Sequence, residues 1–189
     1  MIDLIYNIDL FLFNFLNQTI SNPLFDKFFP FITNPQNWFI AFIILWFTAI
    51  FKGGRVGKIS AIGIIILIVI SDQISSHLLK PMFERVRPCN VVESVHLLVN
   101  CTQSYSMPSS HAVNNFAAAV FFSRLFPKFK IALFIVATLV ALSRPIVGVH
   151  YFSDIFVGAI IGSVLGYLVS MGALEIDKYI GRKIINKAD

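Results

Sequence analysis

Long apolar runs alternate with short polar breaks along the whole chain. Five runs are long enough, with some thinning of the bilayer, for a helix to cross a hydrocarbon layer of about 30 Å. They are residues 36–51, 59–79, 109–126, 130–148 and 152–174. Only one connection between them is long, residues 80–108. The pattern predicts an all-α, polytopic membrane helix bundle that forms one domain over residues 1–189.

The N-terminal segment has a different pattern. Residues 4–20 mix large apolar side chains with polar ones such as Asn7, Asp9 and Asn14, which is typical of an amphipathic helix lying in the membrane interface. Residues 22–37 are interrupted by three prolines. We expect residues 1–35 to be interfacial, which leaves five transmembrane helices. The alternative is six.

Composition supports a membrane protein. Of the 189 residues, 57% are hydrophobic and 13% are charged, whereas about a quarter of an ordinary soluble domain is charged. A soluble domain of this size could not bury so much apolar surface, so lipid must solvate much of it. The first residues carry no basic cluster and no small-residue cleavage site follows, so we expect no cleavable signal peptide.

The net charge of +5 comes from short basic clusters at the ends of apolar runs. Because no dense basic patch forms, a nucleic-acid partner is not expected. Basic clusters at span ends favour the cytoplasmic side. Placing all of them there puts residues 80–108 and 145–152 on the outer face. The clusters are Lys52, Arg55 and Lys58; Arg124, Lys128 and Lys130; and Lys178, Arg182, Lys183 and Lys187.

The outer loop, residues 80–108, contains both cysteines of the chain. Cys89 and Cys101 have eleven residues between them. An oxidising compartment on that face permits a disulfide, which would restrain the loop. Two free thiols are the alternative.

The outer loop begins with a first cluster of charged residues, KPMFERVRP (residues 80–88). Lys80 and Arg87 are seven residues apart and would share one face of a helix. Arg85 does not fit this spacing, and we expect it to pair with Glu84 or a lipid head group. Alone, the cluster also fits ordinary cations that snorkel at a membrane surface.

A second cluster is YSMPSSHAVN, residues 105–114. Ser109 follows Pro108 and begins an apolar helical run, so it is expected to be the helix N-cap. The free amides at a helix N-terminus bind anions. His111 would lie in the first turn, next to such an anion. A plain cap with an incidental histidine is the alternative for this cluster alone.

The third cluster is SRPIVGVHYFSD, residues 143–154. Arg144 is a further cation. His150 and Asp154 are four residues apart, so the carboxylate can reach the imidazole and leave its other nitrogen free to attack or to move a proton. At a membrane depth where charges are costly, such groups usually mark function.

Together the three clusters are more specific than each alone. Lys80, Arg87 and Arg144 can hold a phosphate, with donors near Ser109 and Ser110. Two histidines remain, and one of them has a carboxylate partner. These are the parts that phosphoryl transfer without a metal requires. No carboxylate cluster suits magnesium, so we expect no metal and no other cofactor.

The order and spacing of these residues resemble a known three-part signature. Lys80-x6-Arg87-Pro88, Pro108-Ser109-Ser110-His111 and Ser143-Arg144-x5-His150-x3-Asp154 resemble the motifs of the type 2 phosphatidic acid phosphatase superfamily. That family covers membrane lipid phosphatases and, more distantly, soluble vanadium haloperoxidases. The chain departs from it at Ser110, where the family usually has glycine. The serine hydroxyl could donate to phosphate and narrows the pocket.

The resemblance implies roles for each residue. His150 would attack phosphorus and form a phosphohistidine, with Asp154 orienting it. His111 would protonate the leaving oxygen and then activate water. The remaining positions would hold the phosphate: Lys80, Arg87, Ser109, Ser110 and Arg144.

The implied substrate is a membrane lipid phosphate at the outer face of a bacterial cytoplasmic membrane. Undecaprenyl diphosphate is the first expectation. Phosphatidylglycerophosphate, phosphatidate and the 1-phosphate of lipid A are the alternatives, since nothing in the motifs identifies the lipid tail.

A hypothesis of another class is a non-catalytic membrane protein that binds anionic lipid or assembles with partner helices. Gly158, Gly162 and Gly166 are spaced four apart and form a close-packing ridge. The ridge could pack helices within one chain or between copies in a homo-oligomer. Two histidines and a carboxylate beside three cations favour the enzyme.

Overall fold

The computed structural model describes residues 2–185, so Lys187 of the C-terminal basic cluster lies outside the described residues. This part of the chain is helical and contains no strand. The predicted all-α membrane class is therefore confirmed. The helices are α1 (Ile2–Asn14), α2 (Pro23–Thr33), α3 (Phe39–Lys52), α4 (Gly54–Gln73), α5 (Lys80–Phe83), α6 (Ser110–Leu125), α7 (Lys130–Ile146) and α8 (Phe152–Ile185).

Within the described residues, four stretches are long and apolar enough to cross a membrane. They are Pro35–Lys52, Gly54–Phe83, Pro127–Ile146 and Phe152–Lys183. Each contains or overlaps one of the five predicted runs. The second is continuous because a π-helical turn, Ile74–Leu79, joins α4 to α5. The remaining predicted run, residues 109–126, forms α6, which has only 16 residues.

Helix α6 lies at the centre of the bundle, where it packs against α4, α7 and α8. Its buried side chains include Ala112, Ala117 and Phe121. Helix α3 is the opposite case, since it has no buried residue and its apolar side chains face outward. A short central helix surrounded by longer ones brings the N-terminus of α6 next to the other helix ends on the same side.

The glycine ridge of α8 lies directly against the backbone of α6. A Cβ at Gly162 would be 2.2 Å from the carbonyl oxygen of Val113, and one at Gly166 would be 2.2 Å from that of Ala117. Only glycine permits this approach. The ridge therefore packs two helices of the same chain and holds the N-termini of α6 and α8 side by side.

The N-terminal helices cover the end of the bundle that carries residues 80–108, called the outer end below after the predicted outer loop. Helices α1 and α2 have 13 and 11 residues, too few to cross a bilayer. Beyond α1, the Asn17 side chain donates to the carbonyl of Ile146 (2.9 Å) and to that of His96 (2.8 Å). These bonds tie the N-terminal segment, the outer loop and the α7–α8 turn together.

Candidate active site

The turn between α7 and α8 positions His150. Gly148 adopts a φ of +91°, a conformation that favours glycine and lets the chain reverse. His150 follows it and is buried, and its Nδ1 lies 3.3 Å from Oδ2 of Asp154 in the first turn of α8. The contact expected from their spacing is therefore present. With Nδ1–H donating to the carboxylate, Nε2 carries the lone pair.

Asp154 is fully buried, and donors surround both of its oxygens. Oδ2 accepts the backbone N–H of Tyr151 (2.8 Å) and the hydroxyl of Ser106. Oδ1 accepts Arg85 Nη1 at 2.8 Å. These donors keep the carboxylate ionised and fix its orientation. Ser106 lies inside the second sequence cluster, but no spacing rule indicated its role.

Arg87 reaches the other side of the imidazole. Its Nη1 donates to His150 Nε2 (3.0 Å) and to the carbonyl of Val149 (3.0 Å). Its Nε and Nη2 donate to the carbonyl (2.8 Å) and the hydroxyl (3.0 Å) of Ser104. The outer loop and the α7–α8 turn thus hold this guanidinium directly over the free nitrogen of His150.

Lys80 and Arg144 complete the group of three cations. Lys80 is buried at the start of α5 and lies within electrostatic range of Arg87 and Arg144. Arg144 Nη1 donates to the hydroxyl of Thr33 (2.7 Å), while its Nε is buried with no partner among residues 2–185. Three cations gathered in one buried place favour a strongly charged anion.

The N-terminus of α6 places Ser109 as the helix N-cap residue, as predicted. Its amide donates to the carbonyl of Asp154 (3.1 Å), which links the two helix N-termini. Its hydroxyl bonds to no helix amide and, within the described part of the chain, has no partner at all although it is buried. The expected side-chain cap is therefore missing, and the hydroxyl is available to another acceptor.

Ser110 differs from its expectation as an extra phosphate donor. Its hydroxyl lies 3.1 Å from Ser75 Oγ, which donates to it, and 3.3 Å from Ser76 Oγ. Both partners lie in the π-helical turn after α4. The hydroxyl therefore faces α4 and bonds there.

His111 lies in the first turn of α6, as predicted. Its Nε2 lies 3.2 Å from the carbonyl of Thr33 and donates to it, so this nitrogen carries the proton. His111 is within electrostatic range of His150, Arg144 and Lys80. Thr33 ends α2 and contacts both His111 and Arg144, and no sequence signal indicated it.

Arg85 does not pair with Glu84 or remain free for a head group, so that expectation was wrong. The chain leaves the helix at Glu84, whose φ is +47°, and this turns Arg85 inward while Glu84 stays exposed. Arg85 binds Asp154 as described and also Asp9 of α1, with its Nη2 2.5 Å from Oδ2. Its guanidinium lies 4.0 Å from the ring centre of Tyr151.

The two outer-loop cysteines are joined in the structure, with a Cα–Cα distance of 6.2 Å. Arg87 precedes Cys89 by two residues, and Ser104 follows Cys101 by three. The disulfide therefore closes the loop between Arg87 and Ser104, and so supports the hydrogen bonds that Arg87 donates to Ser104.

Burial lowers the pKa of His150 to about 3, although its hydrogen bond to Asp154 and the charge of that carboxylate act in the opposite direction. The imidazole is therefore neutral near pH 7, with its lone pair on Nε2. Among residues 2–185, no group of three or more histidine, cysteine, aspartate or glutamate side chains is placed to bind a metal ion. The positive charge at the site comes from Lys80, Arg87 and Arg144.

The fold and the site define an integral membrane protein with a cluster of three cations next to a histidine–aspartate pair. Residues 61–174, which contain every signature residue, match the PAP2 superfamily. The chain belongs to this superfamily and is a membrane lipid phosphatase, as its motifs predicted.

Several members of the superfamily are similar over much of the chain. A lipid A 4'-phosphatase of Porphyromonas gingivalis is 30% identical, over 79% of this chain and 66% of that protein. One of Bacteroides thetaiotaomicron is 31% identical, over 89% and 78%. An undecaprenyl-diphosphatase of Sulfolobus acidocaldarius is 35% identical over a smaller part, 63% and 56%. The crystal structure of Aquifex aeolicus LpxE has a TM-score of 0.69 at 28% identity and covers 86% of this chain and 94% of that one.

Proposed function

We propose that this enzyme removes a phosphate monoester from a glycolipid of the lipid A type, through a phosphohistidine on His150. The observation that carries the proposal is the pair of contacts on the His150 ring, with Asp154 at Nδ1 and Arg87 at Nε2. The substrate class is supported by the two relatives named lipid A 4'-phosphatases, which align with 79% and 89% of the chain.

In the first step, neutral His150 attacks phosphorus through Nε2. A P–N bond forms, and the bond from phosphorus to the lipid oxygen breaks. The electron pair leaves on that oxygen, which takes a proton from the imidazolium form of His111, a form that the bound phosphate dianion favours. Asp154 stabilises the positive charge that the imidazole gains as the phosphohistidine forms.

In the second step, water attacks the phosphohistidine. The now neutral nitrogen of His111 accepts a proton from the water as its oxygen bonds to phosphorus. The P–N bond breaks and returns its electron pair to His150 Nε2, and inorganic phosphate leaves. His111 ends this step protonated, as it began the first.

The phosphate oxygens bind to groups that the site already directs to one place. Lys80, Arg87 and Arg144 offset the charge that develops on phosphorus, so the mechanism needs no metal. The buried Ser109 hydroxyl adds a neutral donor. The Ser109 amide bonds to the carbonyl of Asp154, so the amides available to the phosphate are those of the first turn of α6, from Ser110 to Ala112.

Phosphate release by detergent-purified enzyme tests this proposal. We expect turnover of lipid A that persists in EDTA and is absent in His150→Ala. A fully active His150→Ala variant, or activity lost in EDTA and restored by a divalent metal, would overturn the mechanism. Phosphatidate and phosphatidylglycerophosphate complete the substrate panel.

Undecaprenyl diphosphate is the second candidate substrate, supported by the relative of that activity at 35% identity over 121 residues. A kcat/KM higher for undecaprenyl diphosphate than for lipid A would favour it. We place the site on the outer face because the basic clusters lie at the other ends of the spans. Labelling of engineered cysteines near residue 94 in intact cells, with a membrane-impermeant reagent, tests this placement.

A further inference from the structure

Asp154, Arg85 and Asp9 form a row of charged side chains behind His150, with the guanidinium between the two carboxylates. Arg85 lies in the middle, with Nη1 2.8 Å from Asp154 Oδ1 and Nη2 2.5 Å from Asp9 Oδ2. Asp154 is fully buried, Asp9 is 4% exposed, and the Arg85 side chain is 21% exposed. In such surroundings the charges are weakly screened, so each one affects the next.

Asp9 is held by more than Arg85. Its carboxylate also accepts the backbone N–H of Ser153 (2.9 Å) and the Ser153 hydroxyl (2.5 Å) at the start of α8. The Arg85 guanidinium rests on the ring of Tyr151. These contacts prevent Arg85 from leaving the row. Asp9 belongs to α1, outside the region that matches the superfamily.

The charges of the row decide how well Asp154 can support His150. When His150 bonds to phosphorus its ring becomes cationic, and a negative charge at Nδ1 stabilises it. Arg85 bound to Asp154 alone would cancel that negative charge. With Asp9 present the row contains two negative charges and one positive charge, so one net negative charge remains beside the imidazole.

We infer that Asp9 is a positioning residue for the reaction. Its negative charge offsets the positive charge of Arg85, so the Asp154 carboxylate still stabilises the positive charge that His150 gains. The inference depends on the proposed role of His150 as nucleophile. Asp9 bonds neither to the imidazole nor to Lys80, Arg87 or Arg144, so its effect falls on the chemical step and leaves substrate binding unchanged.

The test compares Asp9→Asn, Asp9→Glu and the double variant Asp9→Asn/Arg85→Gln, with phosphate release from whichever lipid of the panel the wild-type enzyme turns over. Asp9→Asn should lower kcat by about 10- to 100-fold and change KM by less than about twofold. Asp9→Glu keeps the charge and should recover part of the loss. The double variant restores one net negative charge and should be more active than Asp9→Asn.

The matched control is Asp26→Asn. Asp26 is another N-terminal aspartate at the outer end, paired with His96 at 3.1 Å and remote from the row. Its loss should leave kcat within about twofold of wild type. Size-exclusion profiles and thermal unfolding show that each variant is folded. If Asp9→Asn does not fold, the double variant, in which Asp154 keeps the Tyr151 amide and the Ser106 hydroxyl as donors, is compared directly with wild type.

The outcomes separate this inference from the proposed function. An active His150→Ala enzyme would overturn the proposed function. With His150→Ala inactive, an Asp9→Asn kcat within twofold of wild type would overturn this inference alone. A double variant no more active than Asp9→Asn would also overturn it. Where only the double variant folds, a loss as large as that of Asp154→Asn would do the same.

Discussion

The two ends of α8 carry the same type of residue pair in different surroundings. At one end Asp177 binds Arg55, with Oδ1 2.5 Å from Nε, and the side chains are 23% and 40% exposed. At the other end Asp154 binds Arg85 at 2.8 Å, and the side chains are 0% and 21% exposed. The geometry is similar, and the exposure to solvent is not.

Solvent decides what each pair can do. Water and salt screen the charges of Asp177 and Arg55, so this pair contributes little to stability. Asp154 has no exposed surface, and its charge acts on the buried imidazole of His150, whose Nδ1 lies 3.3 Å from Oδ2. An arginine–aspartate contact distance therefore says little about function until the burial of the pair is known.

The largest expected effect tests this difference directly. Asp154→Asn should lower kcat by about 10³- to 10⁴-fold, because the amide cannot stabilise the cationic ring. Asp177→Asn should leave kcat within about twofold of wild type. Steady-state phosphate release from both purified variants is the measurement. Equal losses at the two ends would contradict the comparison.

The glycines in the middle of α8 pack against the backbone of α6 and so fix where the two ends of α8 lie. Substitutions at these glycines test that packing. Gly162→Ala should lower stability by about 1–3 kcal/mol, because the new Cβ would meet the Val113 carbonyl at 2.2 Å. Gly172 is the matched control, since nothing lies within 4 Å of a Cβ there. Gly172→Ala should raise stability by about 0.5–1 kcal/mol. Thermal unfolding in detergent measures both changes, and similar shifts would contradict the packing.

At the outer end, the Cys89–Cys101 disulfide closes the loop next to Arg87, one of the three cations. Cys89→Ser/Cys101→Ser should raise KM by about three- to tenfold and leave kcat within about twofold, because the loop ends that hold Arg87 become looser. Dithiothreitol should have the same effect on wild type and none on the double variant. An unchanged KM in both experiments would show that the disulfide does not support the phosphate site.

A further expected effect concerns the pH dependence of stability and again arises at the outer end. The pKa of His150 is about 3 in the folded protein, below the value near 6.5 of an unfolded histidine. The unfolded chain therefore binds an extra proton between these values, and stability falls as the pH is lowered from about 6.5 toward 3.

Thermal unfolding in detergent across that range measures this slope. His150→Asn removes this group and should make the slope shallower, and the slope that remains includes His111, whose pKa burial also lowers to about 3. The same slope in the variant as in wild type would contradict the assignment.

The sequence predicted those parts of the molecule that depend on local pattern. Hydrophobic length indicated α3, α4, α7 and α8, and the spacing of four indicated the His150–Asp154 contact. Asp9, Thr33 and Ser106 could not be predicted, because each reaches the site through contacts between residues 44 to 144 positions apart. Nothing near these residues in the chain marks such partners.

Arg85 and Ser110 show a second reason for failure, which is irregular backbone. The helical spacing that set Arg85 aside ceases to apply at Glu84, where φ becomes positive. Ser110 meets Ser75 and Ser76 because α4 continues into a π-helical turn, and hydrophobic patterns do not distinguish that turn from an α-helix. In both cases the residue type suggested chemistry, and the backbone determined its partner.

The bond from Arg87 to His150 makes the reactivity of the nucleophile depend on the occupant of the site. A lone pair that accepts an N–H is a poor nucleophile, and Arg87 donates to Nε2 at 3.0 Å. A phosphate oxygen is a stronger acceptor for that guanidinium than a neutral imidazole nitrogen. In the proposed mechanism an arriving phosphate would draw the N–H away and expose the nitrogen that attacks it, whereas an uncharged electrophile would meet a protected ring. The guanidinium would then favour phosphate substrates before any bond is made.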